Sequence, residues 1–149
     1  MSKYDTQTPY TASYIVFEKD GKYAFVLRRN TGWMDDHYSL PSGKVEQNEA
    51  FSACAIREAK EEAGVDIEEQ DLQYLLTMHR FQKGQKNWVD VYFVARKWSG
   101  EVHNAEPEKS HALEWFEPSN LPENIIPDVR TALEQIQQGI MFYEYGWTR

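Results

Sequence analysis

Three glutamates stand close together near the middle of the chain, at positions 58, 61 and 62. Residues three and four apart lie on the same face of an α-helix, so Glu58, Glu61 and Glu62 would present their carboxylates side by side. Such carboxylates repel one another by roughly 0.2–0.5 kcal/mol per exposed pair. Hard divalent cations take oxygen ligands and would offset that repulsion. The pattern therefore indicates metal binding, with a solvated charged face as the alternative.

Residues 43–65 surround these glutamates with glycines and an arginine at fixed intervals, in the pattern G-x5-E-x7-R-E-A-x-E-E-x-G-V. The fixed positions are Gly43, Glu49, Arg57, Glu58, Glu61, Glu62 and Gly64. This pattern resembles the box motif of the Nudix hydrolases, which cleave a diphosphate linkage joined to another group and use magnesium. Ala59 stands where the family usually carries a larger apolar residue, and Ser42 stands where many members have a glycine.

The resemblance implies a role for each charged position of the motif. Glu58 and Glu62 are implied as the lead ligands of Mg²⁺, with Mn²⁺ as an alternative ion, and Glu61 belongs to the same group. Arg57 is implied as a structural charge that pairs with glutamates of the box, because its planar guanidinium suits two carboxylates. We expect all four residues to belong to the catalytic centre.

The loop 40–45 looks like the family's turn into the box. There Gly43 would let the backbone approach the metal or a phosphate closely, because glycine has no Cβ. Gly43 is therefore predicted to belong to the metal site. Lys44, which follows it, is predicted to contact the substrate.

Charged residues outside the box complete the predicted site. Some family members activate water with a glutamate outside the box, and Glu106 and Glu108 are the candidates here, although exposed loop acids would look the same. Glu106 is assigned to catalysis and Glu108 to substrate binding. Arg29, at the end of the predicted second strand, corresponds to a basic position beside the substrate in nucleotide-cleaning members; a surface charge is the alternative.

The kind of substrate is indicated by weaker features. The segment 106–109, followed by Glu114-Trp115-Phe116, is similar to members of the MutT type, which act on nucleoside triphosphates. Trp33, Tyr38 and Trp115 could stack on a base, although core filling is the commoner use of such side chains. Downstream of the box the chain lacks the marks of NADH-cleaving, ADP-ribose-cleaving and dinucleoside-polyphosphate-cleaving members.

The resemblance therefore implies a magnesium-dependent enzyme that hydrolyses a nucleoside triphosphate to a nucleoside monophosphate and pyrophosphate. A hydrolase of nucleoside diphosphate-sugars or other diphosphate-linked metabolites is the alternative within the fold. A non-catalytic module that senses a nucleotide is a third reading, which loss of box glutamates would favour, and none is lost.

The elements that must position these residues can be read from the pattern of apolar residues. A helix is predicted over 49–63, with Asn48 as its N-cap, Glu49 in its first turn and Gly64 at its C-terminal end. Asp20-Gly21 predicts a hairpin between strands 11–19 and 22–29. Further strands are predicted at 38–40, 72–81, 88–98 and 113–116, a helical turn at 118–121 and an amphipathic helix at 128–138. This order predicts an α/β fold in which a mixed sheet lies between helices, and the Nudix fold has the same α/β/α arrangement.

Composition bounds the remaining expectations. The 149 residues are expected to form one domain over 1–149, and neither a membrane-spanning run nor a signal peptide in 1–10 is evident, so a cytoplasmic protein is expected. The net charge of −8 argues against a nucleic-acid polymer as partner but permits a small nucleotide. Cys54 is expected to be a small buried filler. The aromatic tail 140–149 suits a homodimer or packing within its own chain.

Overall fold

The computed structural model of the chain describes residues 6–148. The first five residues of the polar N-terminal segment and the last residue of the aromatic tail lie outside the described residues. The elements are β1 (Tyr10–Lys19), β2 (Lys22–Arg28), β3 (Tyr38–Ser39), β4 (Ser42–Lys44), α1 (Phe51–Ala63), β5 (Leu72–Arg80), β6 (Trp88–Ala95), β7 (Ser110–Phe116), α2 (Pro127–Gln137) and β8 (Phe142–Tyr145). Within 6–148, neither helix is long and apolar enough to span a membrane.

The eight strands form one mixed sheet. Six of them follow the order β3-β2-β1-β6-β5-β8; in addition, β4 pairs with β1 and β7 pairs with β2. β1 runs parallel to β6, and β8 runs parallel to β5. The other pairs are antiparallel. This arrangement confirms the predicted mixed sheet of an α/β fold.

The central strand β1 is buried on both faces, because its side chains alternate between two apolar clusters. Tyr14 and Val16 belong to the cluster that α2 covers, whereas Ile15 and Phe17 belong to the cluster that α1 covers. α2 contributes Val129, Ala132 and Leu133 to the first cluster. α1 contributes Ala55, Ala59 and Ala63 to the second. The small alanine side chains let α1 lie close to the sheet, and the predicted layers of helix, sheet and helix are confirmed.

The edge of β1 that faces away from β6 has two partners. Residues Ala12, Ser13 and Tyr14 pair with the short strand β4, whereas Glu18 and Lys19 pair with the start of β2. β2 therefore separates from β1 beyond the hairpin and pairs instead with β3 and β7. The separation opens a cleft between β2 on one side and β4 with α1 on the other, and β4 was not predicted from the sequence.

The start of α1 differs from the prediction. The helix begins at Phe51 with Ala50 as its N-cap and without a capping side chain, so the assignment of Asn48 as N-cap is wrong. Asn48 instead adopts a left-handed conformation with φ of 64°. The reason is that the carboxylate of Glu49 is bound by Arg57 and by the N–H of Glu46, which fixes this segment as a turn. The predicted left-handed end at Gly64 is confirmed, with φ of 72°.

Other boundaries shift by a few residues. The hairpin at Asp20-Gly21 is confirmed, and both residues have positive φ, as a tight hairpin turn requires. The helical turn predicted at 118–121 is wrong, because no helix forms there. The segment instead makes one isolated turn, in which the N–H of Asn120 donates to Glu117 O at 2.9 Å. β7 starts at Ser110, earlier than predicted, because its first residues pair with the end of β2.

The aromatic tail packs on its own chain. Residues Phe142–Tyr145 form β8 along β5, and the indole N–H of Trp147 donates to the carbonyl of His79 at 2.9 Å. The Trp147 ring also stacks on Phe81, with ring centres 4.6 Å apart. Packing within the chain, one of the two predicted arrangements, is therefore observed, and a homodimer stays a prediction.

Candidate active site

The glutamates of the motif line the cleft between β2 and β4. Its volume is about 480 Å³, and Glu58, Glu61 and Glu62 of α1 form one wall. The other lining residues are Val26, Arg28, Asn30, Thr31, Leu40, Ser42, Gly43, Lys44, Glu106, Lys109 and Ser110. The helix spacing predicted that the three carboxylates share one face, and the fold brings that face to β4, the strand that carries Gly43 and Lys44.

Arg57 binds several parts of the motif at once. Its guanidinium donates to both carboxylate oxygens of Glu49 at 2.8 and 3.0 Å, to Glu58 Oε1 at 2.8 Å, and to the carbonyl of Lys44 at 3.1 Å. A weaker ion pair joins it to Glu61 at 3.3 Å. The hydrogen bonds from Arg57 lower the pKa of Glu49 to about 2. This arrangement agrees with the structural pairing that the sequence predicted for Arg57.

The carboxylates that face the cleft are short of positive charge. Burial raises the pKa of Glu58 to about 7, and repulsion from Glu61 adds to the effect despite the ion pair with Arg57. Burial and the charge of Glu58 raise the pKa of Glu62 well above its ordinary value. Glu62 accepts one backbone N–H, from Ser42 at 3.0 Å. Both groups would be stabilised in their ionised forms by a cation in the cleft.

The donor set fits a hard divalent cation, although its arrangement is not that of a formed metal site. Within the part of the chain that the structure describes, no three His, Cys, Asp or Glu side chains converge as metal ligands. The side chains of Glu58 and Glu62 nonetheless offer carboxylate oxygens with raised pKa, and of the two only Glu58 pairs with an arginine. Oxygen donors of this kind are what Mg²⁺ prefers. The residues therefore fit Mg²⁺ by the chemical type of their donor atoms, and not by a ligand geometry that is already formed.

Glu106 extends the acidic wall from the loop before β7. Its side chain is partly buried, and burial raises its pKa, an effect that Lys109 opposes and Glu108 reinforces. Glu108 is exposed and does not line the cleft in the described structure. The structure thus places Glu106, which was assigned to catalysis, in the lining of the cleft, but not Glu108, which was assigned to substrate binding.

Cys54 lies behind β4, the strand that contains Gly43. It is fully buried, its Sγ is 3.5 Å from the carbonyl oxygens of Gly43 and Lys44, and burial raises the pKa of the thiol to about 11. A thiol that stays protonated in a closed site has little nucleophilic character. The expected role of Cys54 as a small buried filler is confirmed.

The cleft continues past Lys44 into a second lobe of about 420 Å³. This lobe shares Arg28, Thr31, Ser42, Gly43 and Lys44 with the carboxylate lobe and adds Ala12, Tyr14, Trp33, Arg80, Gln82, Gln85 and Trp88. Trp33 is 44% exposed, and its ring centre lies 5.3 Å from the guanidinium carbon of Arg28. An aromatic and basic surface is therefore continuous with the acidic one.

Arg80, which lines the second lobe, belongs to a buried group of charged side chains. Arg80 donates to both carboxylate oxygens of Asp90, at 2.7 and 3.2 Å, and its Nε is 3.4 Å from Oδ2 of Asp128. Asp128 is 6% exposed, lies at the start of α2, and its Oδ2 accepts no hydrogen bond within the described residues. Burial raises the pKa of Asp128. Together with Trp33 and Arg80, Asp128 lines a recess of about 310 Å³.

Several residues predicted to contact the substrate lie elsewhere. Arg29 donates to the carbonyl of Pro107 and is not among the residues that line the cleft; Arg28, its neighbour, takes that position. Tyr38 packs edge-on against Phe116. Trp115 stacks near Trp98 and lines a separate cavity of about 470 Å³ that contains no residue of the box. Of the three aromatic candidates, only Trp33 faces the cleft.

The residues that sequence reasoning missed are Arg28, Arg80, Trp88 and Asp128. Strand alternation could have indicated Arg28, because Val26 lies two residues earlier on β2 and lines the same cleft. Arg80 and Asp128 come from β5 and α2, and nothing in their local sequence relates them to the box. Their position follows only from the packing of α2 on the sheet.

Comparisons with known proteins agree with this architecture. The family model described as the NUDIX domain matches residues 7–136. A crystal structure of a MutT NUDIX hydrolase from Burkholderia pseudomallei superposes with a TM-score of 0.78 at 28% identity, over 87% of this chain and 98% of that one. The NAD-capped RNA hydrolase NudC of Pseudomonas aeruginosa is 31% identical over 102 residues, and Nudix hydrolase 5 of Arabidopsis thaliana is 29% identical over 107 residues. These matches cover 65% and 68% of this chain but only 33% of each relative, so the chain spans about a third of their length.

Proposed function

The chain belongs to the Nudix family of hydrolases, which act on pyrophosphate bonds, and from that membership we propose that it hydrolyses nucleoside triphosphates to a nucleoside monophosphate and pyrophosphate. The observation that carries the proposal is a single cleft with two chemically different lobes. One lobe gathers carboxylates that suit a metal–phosphate centre. The other offers an exposed tryptophan and arginines, and the recess beside it adds a buried carboxylate, a combination that suits a nucleobase.

In the first lobe, Glu58 and Glu62 would hold Mg²⁺, with Glu61 in the same group and Gly43 leaving room for the approach of the ion or a phosphate. When bound, the ion supplies neutralisation of phosphate charge and a lower pKa for a coordinated water. Arg57 contributes indirectly, since its bonds to Glu58 and to the Lys44 carbonyl hold α1 and β4 together on one side of the cleft.

The reaction adds water across one phosphoanhydride bond. The oxygen of water forms a bond to phosphorus, the bridging P–O bond breaks, and the leaving phosphate takes the electron pair. We assign Glu106 as the group that accepts the proton from water, because it lines the cleft and its raised pKa makes it a better base than an ordinary carboxylate. Lys44 and Lys109 would counter the charge of the phosphates.

The base would stack on Trp33, which lines both the second lobe and the adjoining recess, while Arg80 and Asp128 of the recess would contact its edge. Trp33 is exposed without being needed for the core, and Asp128 has a buried oxygen that accepts no hydrogen bond within the described residues. Arg80 Nε lies 3.4 Å from this oxygen as an ion pair but does not hydrogen-bond to it, so a ligand N–H that does so would be favoured. A base has such N–H groups, whereas a sugar would offer hydroxyls but no flat face for Trp33.

A second candidate is a diphosphate-linked nucleotide, such as a nucleoside diphosphate-sugar or another metabolite in which the diphosphate joins two groups. The observation in its favour is that relatives about 30% identical are named for a substrate of this kind, NAD-capped RNA. The intact set of box glutamates disfavours a purely nucleotide-sensing role.

Product analysis distinguishes the candidates. The protein would be incubated with Mg²⁺ and, separately, with nucleoside triphosphates, oxidised purine triphosphates, nucleoside diphosphate-sugars and NAD. Pyrophosphate released from a triphosphate is the expected result. Release of a sugar phosphate from a nucleoside diphosphate-sugar, or of two mononucleotides from NAD, would favour the second candidate if triphosphates were left intact.

Glu62→Gln provides the matched active-site control. The amide oxygen can still accept the Ser42 N–H, so the fold should persist, while the charge that would bind the metal is lost. Turnover should fall by about 10³-fold or more, as expected when charge stabilisation of the transition state is removed. Glu68→Gln, an exposed change of the same charge, should be as active as the parent. Unchanged activity of Glu62→Gln would contradict the assigned site.

A further inference from the structure

The loop that carries Glu106 is bound to the C-terminal end of α1. The last carbonyl groups of an α-helix have no partner within the helix and need one elsewhere. The carbonyl of Glu62 accepts the backbone N–H of Ala105 at 3.1 Å. The carbonyl of Ala63 accepts the backbone N–H of His103, also at 3.1 Å. The residue that precedes Glu106 is therefore joined to a residue whose carboxylate lines the cleft.

The side chain of Asn104 connects the two ends of this loop. Its Oδ1 accepts the backbone N–H of Glu106 at 3.2 Å, and its Nδ2 donates to the carbonyl of Ser110, the first residue of β7, at 2.8 Å. The carbonyl of Glu106 in turn accepts the N–H groups of Lys109 and Ser110, at 2.9 and 3.0 Å. Both backbone polar groups of Glu106 are thus bound, and an amide serves here because it offers a donor and an acceptor at once.

The tip of the loop is bound to the opposite side of the cleft. The backbone N–H of Arg29 donates to the carbonyl of Lys109 at 2.9 Å, and its guanidinium donates to the carbonyl of Pro107. The loop therefore reaches from α1 to the end of β2, and Asn104 links its α1 end to β7. Asn104 is not among the described residues that line the cleft, so any effect on the reaction must pass through a neighbour that does, such as Glu106.

We infer that Asn104 is a positioning residue for hydrolysis, whose amide holds the carboxylate of Glu106 in the cleft by linking the α1 end of the loop to β7. The inference rests on the proposed function and deepens it, because Glu106 is the group assigned to accept the proton from water. Without the amide, the N–H of Glu106 loses its acceptor and the loop loses its link to Ser110, so the carboxylate can shift away from the water. A displacement of about 1 Å in a reacting group can lower the rate about 10²-fold.

Three variants test the inference by steady-state kinetics. Asn104→Ala should lower kcat about 10²-fold and leave KM within about twofold, because the residues that would bind the substrate are unchanged. Asn104→Ser keeps an oxygen that can accept the N–H of Glu106, although more weakly than the amide does, and should recover part of the loss. Asn120→Ala removes the same amide from an exposed segment after β7 and should match the parent. A parent-like kcat of Asn104→Ala, or a raised KM in place of a lowered kcat, would overturn the inference.

A double-mutant cycle shows whether Asn104 acts through Glu106. In a Glu106→Gln background the assigned base is already absent, so Asn104→Ala should lower kcat by no more than about twofold further, since residues that act as a unit are not additive. Thermal unfolding of the four proteins would show that the loss of stability is the same in both backgrounds, as expected for the structural part of the effect. An equal loss of kcat in both backgrounds would overturn the inference.

Amide hydrogen exchange separates this inference from the proposed function, because it needs no turnover. In Asn104→Ala the backbone N–H of Glu106 should exchange at least about tenfold faster than in the parent, since its acceptor is gone. If triphosphates are left intact and a diphosphate-linked nucleotide is hydrolysed instead, faster exchange together with a lowered kcat on that substrate supports the inference, and only the proposed function has failed. If triphosphates are hydrolysed and the exchange is unchanged, the role of Asn104 is wrong and the proposed function stands.

Discussion

A Cβ atom added to Gly43 would overlap with the carboxylate of Glu58. Gly43 lies in β4, and its φ is not among the positive values of the chain, so the backbone itself would accept another residue. The glycine is therefore required for space and not for backbone freedom. Two residues of the box that are 15 positions apart thus define one contact, through which α1 brings a carboxylate against β4 on the same side of the cleft.

Gly43→Ala should leave the chain folded but move the carboxylate of Glu58. Placing an extra methyl group in a packed site costs about 1–3 kcal/mol, and a displacement of about 1 Å in a reacting group can lower the rate about 10²-fold. We therefore expect kcat/KM to fall about 10²-fold with a modest loss of stability. Steady-state kinetics and urea denaturation would measure the two effects.

A double-mutant cycle tests whether Glu58 is the group that is displaced. In a Glu58→Ala background the methyl group of Gly43→Ala has room, so the stability cost of the second change should disappear. If the cost were the same in both backgrounds, the overlap would involve some other part of the structure.

The ion pair of Glu49 with Arg57 should make stability depend on pH. Hydrogen bonds from Arg57 lower the pKa of Glu49 from 4.5 to about 2, so the folded state holds the proton less tightly than the unfolded state. The contribution is therefore complete above pH 4.5 and is lost as the pH falls toward 2. Because solvent screens this pair, Glu49→Gln should cost about 1 kcal/mol at neutral pH.

Denaturation at several pH values would check this prediction. The difference between the parent and Glu49→Gln should be constant above about pH 5 and shrink below it. Glu69→Gln, an exposed change of the same charge, serves as control and should differ little from the parent at any pH. A difference that persists unchanged at pH 2–3 would mean that the carboxylate charge is not what stabilises this turn.

The sequence predicted the parts of the site that depend on local geometry. The shared face of Glu58 and Glu62 follows from helix periodicity, and so does the ion pair of Arg57 with Glu61 four residues later. The start of the helix was predicted wrongly, because a long-range bond from Arg57 to Glu49 overrides the capping preference of Asn48. Tertiary contacts decided the boundary where local propensities did not.

The substrate side of the cleft was predicted poorly for a different reason. Alternation along β2 puts Arg28 on the same face as Val26, but which face of β2 lines the cleft depends on how β2 pairs with β3 and β7, and the local sequence does not give that pairing. A shift of one residue exchanges the two faces of a strand. Asp128 reaches the recess that adjoins the second lobe only because α2 packs across the sheet, a juxtaposition of distant segments that no single stretch of sequence encodes.

Trp33 and Trp115 should respond oppositely to substitution. Trp33 is exposed in the cleft, so Trp33→Leu should raise KM about tenfold or more without lowering stability, since base–aromatic stacking is worth about 1–3 kcal/mol. Trp115 is half-buried against Trp98, so Trp115→Leu should lower stability by about 1–3 kcal/mol and leave KM unchanged. Kinetics and thermal unfolding of both variants would check the contrast. A raised KM only for Trp115→Leu would move the base site to the other cavity.

Glu106 and Glu108 can be distinguished by kinetics, although they stand two residues apart in one loop. Glu106 lines the cleft with a raised pKa, whereas Glu108 is exposed and lies outside the lining. Because a positioned general base contributes about 10²–10⁴-fold, Glu106→Gln should lower kcat by at least about 10²-fold with little change in KM. Glu108→Gln makes the same charge change and should keep kcat within about twofold. The pH dependence of kcat adds a second readout, since the limb on the acidic side should flatten in Glu106→Gln and persist in Glu108→Gln. If Glu106→Gln retained full kcat, Glu106 would not be the general base. A glutamate of the box would then have to accept the proton from water, through a carboxylate oxygen that does not bind the metal.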